Sequence, residues 1–282
     1  MVQFRAETLA VIRRRVMYLR FGPKFIYGTT TAQTATTFRM AAAARFPNDT
    51  LNGRVVYVVS GTGSGQSATI TDSEQGTGQL TVTPAFAVTL DGTSNVEVYP
   101  EDSSPEAVNQ AINMAILDAS DIVNVKTVSD APTIDATRTI VTIPASVIKV
   151  YGFQYKNTSD SDPILIKCRW HPDRDWPIGT RQNWFTVENG FIYVNFEIPT
   201  TATEVRILGY RLPAELTSDS STSEVRSDYL IYKAAALLES EKIASPGYDP
   251  DASQARATSW LRESALIRPG LRVRWEPNTV EV

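Results

Sequence analysis

Apolar residues near the start of the chain recur at Leu9, Ile12, Val16 and Leu19, on one stripe of a helix predicted over 4–20 and stopped by Gly22-Pro23. From Gly53 the texture changes to short β-branched runs at 54–59, 68–71, 79–83 and 95–99, separated by Gly, Asp and Asn. Runs of this length with turn signals between them predict a small antiparallel sheet or barrel. Ser104-Pro105-Glu106 then reads as an N-cap, a first-position proline and an acid against the dipole of a helix over 104–122. A second β-rich region follows over 133–212, with runs at 139–143, 148–155, 164–170, 191–196 and 203–210 and prolines between them, where strands tolerate proline. Two more helices are predicted over 224–243 and 249–267, the last opened by Asp249 and Pro250. The Thr/Ala-rich stretch 29–44 has no clear period and receives no element.

No helix of this length is stable alone, and each has an apolar stripe to bury. The simplest solution is an α+β fold: a bundle of about four helices with two inserted antiparallel β regions. On this expectation residues 1–28, 103–126 and 222–268 form the bundle, 29–102 and 127–221 the two β regions, and 269–282 a C-terminal tail. A length of 282 residues admits two domains in series, but the pattern reads better as one bundle interrupted twice.

With 42% hydrophobic and 21% charged residues the chain is expected to be soluble and folded. One cysteine, Cys168, has no disulfide partner, and with one histidine, His171, it cannot supply a four-ligand zinc site. No cofactor or metal is therefore expected. Arg13, Arg14 and Arg15 interrupt the only apolar stretch near the N-terminus, so neither a signal peptide nor a membrane partner is expected, and the chain should be made in a cytoplasm. The net charge of −4 hides a separation. The first 24 residues are basic, and 91–135 carry nine acids against Lys126. Such segments suit pairing between copies, and equally two solvated faces of one monomer.

Candidate chemistry is sparse. Residues 60–67 read Ser-Gly-Thr-Gly-Ser-Gly-Gln-Ser, which lacks the first glycine and the lysine of a phosphate loop and is flanked by strands, so a hairpin tip is favoured. Cys168 and His171 fall on opposite faces of a strand, which favours a buried thiol over a nucleophile pair. Trp170, Trp176 and Trp184 with Asp173, Asp175 and Glu188 could line a glycan site, but core or interface anchors are the commoner use. Arg13, Arg14 and Arg15 are ~100° apart on a helix and cannot all face one partner. No catalytic residue emerges, and the chain is not expected to be an enzyme.

Three stretches carry a family resemblance. They are Gly53-Arg54-Val55-Val56-Tyr57-Val58-Val59 with the 61–66 tip and 84–94, then Ser104-Pro105-Glu106-Ala107-Val108-Asn109-Gln110-Ala111-Ile112-Asn113, and then 208–216 continuing through 228–236. In this order they resemble the head–tail adaptor proteins, also called neck or connector proteins, of tailed bacteriophages. The resemblance implies a virion structural protein at the neck, assembled in the host bacterial cytoplasm. It implies a ring, commonly of twelve copies, that joins the portal protein to a tail or nozzle protein and lets genomic DNA pass without specific binding. A closed ring needs two different complementary faces per subunit. Arg13, Arg14 and Arg15 against Glu106, Asp118 and Asp121 are the candidate pair, and Arg272, Arg274 and Trp275 of the tail are candidates for docking on the portal or a neighbour. A lower-neck or tail-completion protein is the nearest alternative. A carbohydrate-binding tail protein is the remote one, since such proteins usually carry long β repeats that are missing here.

Overall fold

The structure, a computed structural model, describes residues 7–32, 34–129, 132–157, 165–172, 174–175, 182–200, 202–242, 249–271 and 280–281. Two compact units divide the chain: Met1–Ala119 with Ala214–Leu271, and Ser120–Pro213 with Arg272–Val282.

The first unit opens with helix α1 (Leu9–Phe21), ended by Gly22 at φ 55°, and continues into strands β1 (Ile26–Thr29), β2 (Thr31–Ala32) and β3 (Thr37–Arg39). Then come β4 (Val55–Ser60), β5 (Ser67–Glu74), β6 (Gln79–Thr83) and β7 (Asn95–Tyr99), followed by α2 (Pro105–Ala119). After the chain leaves this unit and returns, α3 (Ser227–Lys242) and α4 (Pro250–Ile267) complete it. The seven strands form one sheet in the order β1-β7-β4-β5-β6-β3-β2. Alternation sends Val56 and Val58 of β4, Leu80 and Val82 of β6 and Val96 and Val98 of β7 into one core with Ile26, Phe38, Met40 and Ile70. All but the shortest strand, β2, contribute to that single cluster, so the sheet encloses a core of its own.

The helices pack on each other, α3 touching α1, α2 and α4. This explains the composition of α3, whose Leu230, Ala234, Ala235 and Ala236 are all fully buried. In α4 the buried residues are only Ser253, Ala257 and Ser264, a narrow small-residue stripe that permits close approach. Two caps form as their residues predict: Ser104 Oγ accepts from the Ala107 amide at 3.1 Å, and Asp249 Oδ1 accepts from the amides of Asp251 and Ala252 at 3.0 and 3.2 Å.

The second unit holds β8 (Val125–Ser129), β9 (Ile140–Thr142), β10 (Lys149–Asn157), β11 (Leu165–Trp170), β12 (Trp184–Glu188), β13 (Phe191–Val194), β14 (Ala202–Arg211) and β15 (Val280–Glu281). The sheet order is β8-β14-β10-β11-β12-β13-β9, with β15 paired to β10 at Lys149 and Val150. Phe153, Phe185, Ile192 and Ile207 anchor its core.

The expected fold class, a bundle of about four helices with two inserted antiparallel β regions, is therefore corrected. Among the described residues the protein is mostly β, with fifteen strands in two sheets against four α-helices. Each sheet has a hydrophobic core cluster of its own and is not an appendage of a bundle. Six strands escape the sequence pattern: β1, β2, β3, β8, β12 and β15. The first three are short and rich in Thr, Ala and Gly, β8 carries polar residues on both faces, and β12 is five residues long with Thr186 and Glu188 interrupting its apolar run. The second sheet is also not purely antiparallel, since β11 and β12 run parallel through Arg169↔Trp184 and Trp170↔Phe185.

Candidate interaction surface

Of the three adjacent arginines of α1, two converge on one carboxylate and the third turns outward. Arg13 has no exposed side-chain surface: its Nε donates to Glu97 Oε2 at 2.9 Å, and its Nη1 donates to Asn109 Oδ1 at 3.1 Å and to Asp219. Tyr57 Oη donates to Asp219 Oδ2 at 3.1 Å, and Tyr99 Oη donates to Glu97. Burial disfavours the Arg13 charge, but the Asp219 bond and the charge of Glu97 outweigh it and hold the guanidinium above its ordinary value. Burial, then the Asp219 charge, pushes Tyr57 up to about 12. Arg14 donates to Glu97 Oε1 at 2.9 Å and lies 5.4 Å from the Tyr27 ring centre. Arg15 points outward and is held by both oxygens of Glu7 at 2.8 and 2.9 Å.

The acidic candidates are also separated. Glu106 is exposed in the first turn of α2. Asp118, near the end of α2, accepts from Tyr229 Oη and pairs with Lys233 Nζ at 3.1 Å. Burial works against the Asp118 charge, yet the bonds from Tyr229 and Lys233 keep its carboxyl below the usual range. Asp121 is exposed and belongs to the second unit. Arg272, Arg274 and Trp275 lie outside the described residues.

A second ionic cluster was not foreseen, because its members lie far apart in sequence. Glu239 is buried and pairs with Arg20 at 3.4 Å and with Arg256 Nε at 2.8 Å. Lys242 pairs with Asp102 beside them. Burial, followed by the charges of Arg20 and Arg256, brings Lys242 down to about 8.

The glycine-rich stretch is the tip of the β4–β5 hairpin, with Gly61, Gly63 and Gly65 at φ 82°, 81° and 87°. It is tied down: Thr62 Oγ1 donates to Asp91 Oδ2 at 2.6 Å, and Gln66 and Val88 exchange bonds of 3.2 and 3.0 Å. Hydrogen bonds from Thr62 and Thr93 hold the Asp91 carboxyl down to about 2. Cys168 is buried, and burial pushes its thiol up to about 12. His171 lies edge-on to Trp184, 5.6 Å between ring centres, while Asp173 and Trp176 fall outside the described residues. Among the described residues no group of three or more His, Cys, Asp or Glu could hold a metal, and no helix is long and apolar enough to cross a membrane.

What the first unit does present is an open groove of about 620 Å³ between α1, β1 and α3. Val11, Tyr18, Tyr27, Ile231 and Tyr232 line it, with Arg14 and Arg15 beside them. Tyr18 and Tyr27 are 59% and 53% exposed. Tyrosine and arginine around an apolar floor are the residue types that protein–protein contacts favour over the rest of a surface. A groove of this composition is the candidate interaction surface of the first unit.

The profile of the SU10 adaptor protein family matches residues 85–269, from the loop before β7 to just past α4. The chain belongs to that family of bacteriophage adaptor proteins, and is a virion component. No curated protein matches the chain.

Proposed function

We propose that the protein is a non-enzymatic structural ring of the phage neck, set at the portal vertex, joining the capsid portal to the tail and surrounding the channel through which DNA passes. Family membership over residues 85–269 is the observation that carries this reading. The exposed tyrosine and arginine groove supports it, because a subunit that bridges copies and partners needs uncovered apolar surface. A net charge of −4 is compatible with DNA sliding past, since strong phosphate neutralisation would retain it. Portal docking is assigned to Arg272, Arg274 and Trp275, which precede β15 in the chain.

The test is reconstitution. Purified protein is mixed with isolated portal rings and with tail-less capsids and imaged by electron microscopy. A cyclic density of this subunit below the portal supports the reading. Its absence, or binding only to tail proteins, overturns it in favour of a tail-completion role. Replacing Arg272, Arg274 and Trp275 together by alanine keeps β15 and should abolish docking.

A further inference from the structure

The ring reading requires two different faces on each subunit that fit each other, and the first unit carries such a pair. We infer that the outer face of α2 of one copy seats in the groove between α1, β1 and α3 of the next, with Leu117 as its principal knob. This rests on the proposed ring.

Three observations converge on it. First, α2 buries Val108, Ala111, Ile112, Ala115, Ile116 and Ala119 on its inner side. Its outer stripe is Glu106, Gln110, Met114 and Leu117, at spacings that share one helical face. Met114 is 47% exposed and Leu117 70%, one turn apart. An exposed apolar pair at the C-terminal end of a solvent-facing stripe can anchor a helix laid into a groove.

Second, the charges are complementary. Helix α2 holds no Lys or Arg and carries Glu106 exposed at the head of its outer stripe, Asp118 being bound to Lys233 of its own subunit, whereas α1 holds Arg13, Arg14, Arg15 and Arg20 and no acid. Arg13 is enclosed within its own subunit, whereas Arg14, paired with Glu97, is about a third exposed and Arg15, paired with Glu7, more than half, and both line the groove together with Asp228. Opposite charge around an apolar centre sets register and hastens encounter, while the centre carries affinity.

Third, both faces belong to one compact unit. The rotation from one copy to the next is then fixed by a single packed body, which a closed ring demands and a hinge between the two faces would spoil.

The experiment uses two full-length variants, each blocking one face at an exposed side chain: Leu117→Asp on the helix and Tyr18→Asp in the groove. Oligomeric state is read by native mass spectrometry, alone and on portal rings, after thermal unfolding shows that each variant folds. Met114→Asp and Tyr27→Asp serve as the second pair if either fails to fold. Each variant alone should require about 30-fold more protein to assemble, the loss of one interface hot spot. Mixed together they should form a one-to-one dimer and no ring, because one intact knob and one intact groove remain. Rings formed as readily by either variant as by the unaltered protein, or a mixture that gives no dimer, overturn the inference and leave the ring reading standing. An unaltered protein that never forms rings, even on portal, removes both.

Discussion

Arg13 and Glu97 form an ion pair with no exposed side-chain surface on either partner, Nε to Oε2 at 2.9 Å. The pair joins α1 to the face of β7 that points away from the sheet core, where Glu97 alternates with Val96 and Val98. Arg14 and Tyr99 also bond this carboxylate. An enclosed charge in a strand is tolerable only when its lone pairs are filled in this way.

Removing one partner should therefore be severe. Glu97→Ala is expected to cost about 3–5 kcal/mol, because enclosed Arg13 is left with Asp219 as its one carboxylate while Arg14 and Tyr99 lose the same partner. The double variant Arg13→Met with Glu97→Leu should lose much less than the sum of the single changes. Urea denaturation of the four proteins gives the coupling directly, and additive losses would contradict the geometry.

Acid should loosen the β4–β5 hairpin tip first. The Asp91 carboxyl titrates at about 2 in the folded chain against an ordinary 3.8, so its contribution is present above about pH 4 and disappears as pH falls towards 2. Asp91→Asn should flatten this part of the stability profile. An unchanged profile between pH 4 and 2 in that variant would show that the bonds from Thr62 and Thr93 carry no weight.

Two glycines of the same tip should respond unequally. A Cβ on Gly61 would sit 2.1 Å from the Thr93 carbonyl oxygen at φ 82°, whereas on Gly65 it meets nothing within 4 Å at φ 87°. Gly65→Ala should cost about 1–2 kcal/mol from backbone conformation alone. Gly61→Ala should cost more, since the backbone itself must move. Thermal melts of both variants rank them.

Cys168 should act as a reporter of the second sheet. Its thiol, pushed from 9.0 to about 12 by burial, has about 1,000-fold less thiolate near neutral pH than an open cysteine. Labelling by a thiol reagent at pH 8 should be slow in the native protein and become rapid only in denaturant. Rapid native labelling would place Cys168 outside the sheet core.

Asp249→Ala should cost about 1 kcal/mol by removing the cap on the amides of Asp251 and Ala252. Because α4 buries only a narrow stripe, the loss should register as fraying of this helix in amide hydrogen exchange before any global unfolding.

Local features can be read from the order of residues alone. The α2 and α4 caps, the stop after α1, the hairpin at 61–66 and the strands β4, β6 and β7 all follow from backbone preferences and from periods of 3.6 and 2 read within a dozen residues. The family was legible in the order of three such stretches. The rest depends on contacts between segments distant in the chain. Short polar strands such as β2, β3 and β8 gain their stability from the ladders beside them, and a window of sequence holds no trace of the partner strand. The same limit hid why Glu97 sits inside. Its partners Arg13 and Arg14 lie 84 and 83 positions away from it, and the charge reads as surface until α1 is laid over β7. Which of three adjacent arginines is enclosed and which faces outward depends on that helix rotation. Hydrophobic burial and ion pairing are properties of neighbours in space, and only the folded chain brings those neighbours together.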